Sequence, residues 1–148
     1  MKRSGNIELC LHELGYAIVP TEGTSMRPLL KEGNTLVELR AKDENPLKKG
    51  DVVLYRKNDG TLVLHRIIKA ESDDIFTVLG DHQFKNAEQV NKEQIIAVAQ
   101  GFFINGRFVD EKTRWYRIYK KVWISSLTLR RFCLAFLRLS GIEKRNKK

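Results

Sequence analysis

Apolar positions change their spacing twice along the chain. Ile7, Cys10, Leu11 and Leu14 recur at the i, i+3, i+4, i+7 interval that marks one face of a helix. Asn6 stands where a cap would start that helix and Gly15 where it would stop, which predicts a short helix over residues 5–15. From Tyr16 the pattern becomes short runs rich in β-branched and aromatic residues, divided by turn residues. These runs predict strands over 16–19, 35–40, 52–56, 61–69, 75–79 and 95–104. Asn105-Gly106 closes a last hairpin into 107–109, and "KNDG" turns 52–56 back into 61–69. Short strands joined by tight turns predict a mostly β domain, a compact rolled sheet or partial barrel.

After Lys112 the helical period returns. Arg114, Arg117, Lys120, Lys121, Ser125, Thr128, Arg131 and Arg138 project onto one arc. Trp115, Ile118, Tyr119, Val122, Trp123, Phe132, Cys133 and Phe136 fall mostly outside it, and Arg130 breaks the pattern. Ser125-Ser126 suits a break between two helices, and the closing "EKRNKK" has the composition of a disordered end. The organisation expected is a β domain over 1–111 followed by a basic amphipathic helical tail over 112–148.

Composition narrows this picture. The 148 residues suffice for one domain with a real core, and 42% hydrophobic with 30% charged residues is the balance of a folded protein. Cys10 and Cys133 sit in apolar company without a CxxC or clustered histidines, so they read as buried thiols in a reducing compartment, with neither disulfide nor metal. No metal or organic cofactor is expected. The net charge of +9 is concentrated: residues 112–148 hold 12 Lys and Arg against the single acid Glu143. No apolar run is long enough for a membrane span, and the N-terminal stretch has acids where a signal peptide would have an apolar core. The expected location is cytoplasmic.

Three stretches could carry chemistry. In "TEGTSMRPLL", residues 21–30, Ser25 follows Gly23 and Thr24 and precedes Met26, Arg27 and Pro28. Such a serine is either a turn residue or a nucleophile, and as a nucleophile it needs a base for its proton and donors for the oxyanion. His65 lies in an apolar strand run, where it is either a core residue satisfied by a carbonyl or a base whose ordinary pKa suits neutral pH. Asp81 follows Gly80 in "TVLGDHQF", where it either accepts local amides or orients an imidazole.

The order of these stretches resembles the signal peptidase I family of serine endopeptidases and the related self-cleaving repressor peptidases. Gly23, Ser25, Met26 and Pro28 match its nucleophile motif, with Leu29 in place of the usual threonine; Gly50 to Val53 match its GDVV-type box; His65 stands before an arginine and aliphatic residues, as the family's base does. Common bacterial members place lysine there, whereas the endoplasmic-reticulum type and some Gram-positive members place histidine. The resemblance, over roughly residues 16–110, implies Ser25 as nucleophile, His65 as general base and Asp81 as its orienter. It further implies an oxyanion site at the Ser25 N–H and the Gly23-Thr24 turn, with Met26 lining the cleft. The acid that the family often places soon after the Gly-Asp box is missing or displaced here, where "HQFKNAEQV" offers Asn86 and Glu88.

In the tail, Trp115, Tyr116, Tyr119 and Trp123 interleave with Arg114, Arg117, Lys120 and Lys121, which suits a helix lying on an anionic membrane. The alternative is that the aromatic stripe covers the β domain while the basic face is only solvated. Nucleic acid is not expected as a partner, since bases and aromatics share a helix rather than a stacking surface on strands. Two functions follow as expectations: a serine endopeptidase acting on a peptide or protein, or an inactive peptidase fold that binds a partner or docks on a membrane through its tail.

Overall fold

The structure, a computed structural model, describes residues 4–42 and 46–141. "EKRNKK" lies outside the described residues. Helix α1, Ser4–Leu14, leads into β1, Tyr16–Pro20, and β2, Thr35–Ala41. Then come β3, Val52–Arg56, β4, Leu62–Ala70, β5, Ile75–Leu79, and β6, Glu88–Asn91. A 3-10 turn at Lys92–Gln94 precedes β7, Ile95–Ile104, and β8, Arg107–Val109. Two helices follow, α2, Arg114–Ser125, and α3, Leu127–Leu139.

All eight strands join one antiparallel sheet in the order β1-β2-β7-β3-β4-β5-β6, with β8 on β7. The ends of this order do not meet, so the mostly β domain is a sheet that does not close. Strand β3 shows why the sequence reads as it does. Its Val52 and Leu54 enter the larger core with Ile7 and Leu11 of α1, while Val53 and Tyr55 enter a second core with Ile67, Phe76 and Val78. A strand covered on both faces loses its apolar-polar alternation and becomes a continuous apolar run.

The ends of β1, β2 and β4 shift by one residue, and two further features differ from expectation. Helix α1 starts at Ser4, so Asn6 lies within it rather than capping it, while Gly15, at φ +77°, does end it with its N–H on Leu11 O. Strand β6 was not expected. "EQVN" has one apolar residue, and only pairing with β5 makes it a strand, with Val90 buried. Cys10 and Cys133 are free thiols, half-buried rather than buried.

The tail divides between the two readings. Tyr116 and Trp123 are buried and Tyr119 is half-buried, so this aromatic face of α2 covers the β domain instead of facing outward. The break at Ser126 is an N-cap whose hydroxyl accepts from Leu129 N–H at 3.4 Å. Arg130, the residue that broke the basic arc, is fully buried. It donates to Gly80 O at 3.1 Å, Gln83 O at 3.1 Å and Trp123 O at 2.8 Å, fastening α3 onto the turn after β5.

Candidate active site

The loop from β1 to β2 is tied at its base. Thr21 and Thr35 share a 2.6 Å hydroxyl contact, and Thr35 also bonds the backbone of Lys31 at both its N–H and C=O. Above this clamp Gly23 takes φ +77°, a left-handed conformation that L side chains resist. A turn closed by Arg27 N–H on Thr24 O at 3.1 Å then presents Ser25, half-buried. The N–H groups of Gly23, Thr24, Ser25 and Met26 donate to no acceptor among the described residues. They are the kind of unspent donors an oxyanion would need.

Ser25 stands on the wall of a cleft of about 340 Å³ whose lining includes Gly23, Met26, Val37, Leu54 and Leu62. Thr24 is exposed beside it. Met26 has both of its expected roles, since it lines the cleft and is buried in the larger core. The cleft runs along β4 as far as Leu64, and His65 is the next residue.

The turn after β5 receives the serine loop. His82 N–H donates to Ser25 O at 2.8 Å, and a Cβ on Gly80 would lie 2.5 Å from that same oxygen. This close approach is the physical reason for glycine in the Gly-Asp box. Arg66 pairs with Leu79, so His65 and Gly80 each stand one residue beyond the last pair of β4 and β5, and no hydrogen bond joins Ser25 to His65 among the described residues. Gly80→Ala is expected to force the Ser25 carbonyl away at a cost of about 1–3 kcal/mol in urea unfolding, as overpacking typically does. An unchanged midpoint would mean that the contact is not tight.

Asp81 does not take the role expected for it. Its carboxylate is fully buried and forms a bidentate pair with Arg66, Nε on Oδ1 and Nη2 on Oδ2, both at 2.8 Å. Tyr119 O–H adds a third bond at 2.9 Å, and Trp123 Nε1–H donates to Asp81 O at 2.8 Å. Arg66 in turn reaches Gly50 O at 2.9 Å, and the Tyr116 and Tyr119 rings cover its guanidinium at 6.0 and 5.8 Å. Asp81 is therefore the anchor of a buried ion pair under the aromatic face of α2. A carboxylate committed to a fork of guanidinium donors is not placed to hold an imidazole.

His65 has another neighbour. Its Nδ1 lies 3.2 Å from Tyr55 Oη, and that hydroxyl donates to Glu88 Oε2 at 2.9 Å. Lys57 Nζ holds the other carboxylate oxygen of Glu88 at 2.7 Å. Burial, aided by Lys57 and opposed by Glu88 and Asp81, pushes the His65 pKa down to about 4. His65 is thus neutral around pH 7 and able to accept a proton. Glu88 ends below the ordinary carboxylate range: burial works to raise it, but the bonds from Lys57 and Tyr55 prevail.

Glu88 was in view after the Gly-Asp box, together with Asn86, and Tyr55 was not singled out. The hairpin register would have found it, because pairing Val53 with His65 puts Tyr55 opposite Val63, one step along the same face. Among the described residues no group of three His, Cys, Asp or Glu side chains is arranged to hold a metal ion. No protein-family model matches the chain, and no curated protein matches it.

Proposed function

We propose that the chain is a serine endopeptidase of the signal-peptidase type. The observation that carries this reading is the seat of Ser25: on the wall of an apolar cleft, beside unspent backbone N–H groups, and docked on the turn that flanks a neutral strand histidine. Ser25 Oγ attacks the scissile carbonyl as His65 takes its proton. The oxyanion settles against the Ser25 N–H and its neighbours in the 23–26 turn. His65 then returns the proton to the leaving amine, and water releases the acyl group by the same steps in reverse.

The fold also supports an extended substrate. β3 occupies one edge of β4 along its first half, whereas β5 pairs only from Arg66 onward. The stretch from Leu62 to Leu64 therefore keeps an open edge beside the cleft, suited to an added peptide strand with apolar side chains. The test compares peptide termini, and labelling by a covalent serine-directed inhibitor, in wild type and Ser25→Ala. New termini and labelling only with the wild type support the reading; identical sets from both overturn it.

A second reading, a peptidase fold that docks on an anionic membrane with or without turnover, is favoured by the outer face of α3. Its inner face carries Arg130 and Leu134, both buried. Its outer face carries Leu129, Phe132, Phe136 and Leu139 at i, i+3, i+7, i+10, with Phe132 and Phe136 68% and Leu139 88% exposed. Arg131 and Arg138 flank this stripe, and Arg114, Arg117 and Lys121 are exposed on α2. Lys120, expected to join them, is half-buried and pairs with Glu111. Concentrated positive charge opposes pairing of two copies through this face and favours anionic headgroups, at the cytoplasmic side of a membrane in this proposal. No helix among the described residues is long and apolar enough to cross one. The double substitution Phe132→Ser, Phe136→Ser is expected to abolish flotation with phosphatidylglycerol vesicles without lowering the unfolding midpoint. Equal flotation of both proteins, or equal binding to neutral vesicles, would defeat the idea.

A further inference from the structure

We infer that Tyr55 and Glu88 are positioning residues for His65, fixing its Nδ1–H tautomer so that Nε2 is left as the proton acceptor for Ser25. The catalytic meaning rests on the peptidase reading above, whereas the tautomer rests on the hydrogen-bond geometry and the protonation of Glu88 and Tyr55.

A carboxylate of lowered pKa is ionised near neutral pH and can only accept, and Lys57 already supplies one of its oxygens with a donor. The hydroxyl of Tyr55 has one proton, and at 2.9 Å from Glu88 Oε2 that proton belongs to the Glu88 bond. Burial, together with the Glu88 hydrogen bond, raises the Tyr55 pKa, so the phenol keeps this proton throughout the neutral range. The Tyr55 oxygen can then only accept from His65, and the 3.2 Å contact must be Nδ1–H donating to it. A neutral imidazole carries one proton, so Nε2 has a free lone pair. Among the described residues Nε2 makes no hydrogen bond, and it is not buried without one.

This arrangement supplies what Asp81 does not. In a serine, histidine and acid triad the acid holds the Nδ1–H and stabilises the imidazolium that forms. Here the acid acts at one remove: the proton from Ser25 Oγ arrives on Nε2, Nδ1–H remains bonded to Tyr55, and Tyr55 remains bonded to Glu88. No proton has to leave the chain of bonds, and the carboxylate charge reaches the imidazolium through a polarised phenol. The charged groups that act on His65 are Lys57, which opposes protonation, and Glu88 and Asp81, which favour it.

The test reads the tautomer directly. The chain has three histidines, His12, His65 and His82, so nitrogen-15 spectra of labelled protein can be assigned by single substitutions. Wild type at pH 7 is expected to show His65 with Nδ1 protonated and Nε2 bare. Glu88→Gln, at a partly exposed position, is expected to fold and to shift His65 toward the Nε2–H form, because the amide can donate to Tyr55 and turn its hydroxyl toward Nδ1. Tyr55→Phe is expected to release the tautomer in the same direction, and Glu88→Asp to restore part of the wild-type pattern. In turnover, both Tyr55→Phe and Glu88→Gln are expected to lower kcat by about 100-fold or more, within the range of a general-base contribution. Removing the Glu88 charge also moves the acid limb of the pH profile downward. A wild-type His65 protonated on Nε2, or an unmoved spectrum in Glu88→Gln, would overturn the inference. If the tautomer behaves as described while Ser25→Ala leaves cleavage intact, the peptidase reading falls and the positioning of His65 stands.

Discussion

Asp81→Asn is expected to cost about 3–5 kcal/mol of folding stability, the usual penalty for removing one member of a buried ion pair. The side chain keeps its shape, so the loss is electrostatic. Arg66 keeps a full charge with no exposed surface, and an asparagine amide turned toward it sets donor against donor. Arg130, also fully buried, stands at the same turn through Gly80 O and loses the negative charge nearest to it. Urea unfolding followed by the fluorescence of Trp123, whose indole N–H bonds Asp81 O, reports the change where it occurs. For a small domain a loss of this size removes much of the margin between folded and unfolded chain. The paired change Arg66→Met, Asp81→Leu is expected to recover part of it, since apolar replacement of a whole buried pair is often close to neutral. A shift below about 1 kcal/mol for Asp81→Asn would mean that water reaches the pair.

Turnover is expected to fall by at least about 10,000-fold in His65→Gln and equally in Ser25→Ala, with the double variant no worse than either. Residues that act as one unit are not additive. Glutamine keeps the polar contact with Tyr55 but cannot take up a proton, so a loss confined to kcat separates chemistry from binding. In wild type the acid limb of kcat/KM is expected near pH 4, well below the ordinary histidine value of 6.5, because burial disfavours the imidazolium. Folding stability follows the same sign. The unfolded chain protonates His65 first, so its contribution is complete above about pH 6.5 and is lost as pH falls through 4. An acid limb near 6.5 would place the titrating base elsewhere.

The sequence carried the strands well and the polar network poorly. Residues 52–56, 75–79, 95–104 and 107–109 are strands where runs of β-branched and aromatic residues between turn residues put them, because such side chains suit a pleated, buried surface. β6 escaped since a four-residue edge strand with one buried side chain has almost no period to write. The turn at Gly23 and Ser25 and the strand position of His65 were legible locally, while their candidate roles came only from the resemblance in the order of the motifs. The assignment of Asp81 to His65 was not, because both lie beside Arg66 and only three-dimensional geometry decides which partner receives the carboxylate. Arg130 was visible as an anomaly in the helical arc. Its meaning needed the carbonyls of Gly80 and Gln83, which carry no side-chain signature.

The reach of Arg130 orders events on a nascent chain. Gly80 and Arg130 are separated by 50 residues, so the turn that receives the Ser25 carbonyl is synthesised long before the side chain that secures it. Trp123 and Tyr119, which close over Asp81, also come late. A growing chain therefore carries its serine loop well before the turn that seats it is secured. A shortened chain ending before α2 would keep Ser25 and His65 and still lack the side chains that secure the turn beneath the Ser25 carbonyl.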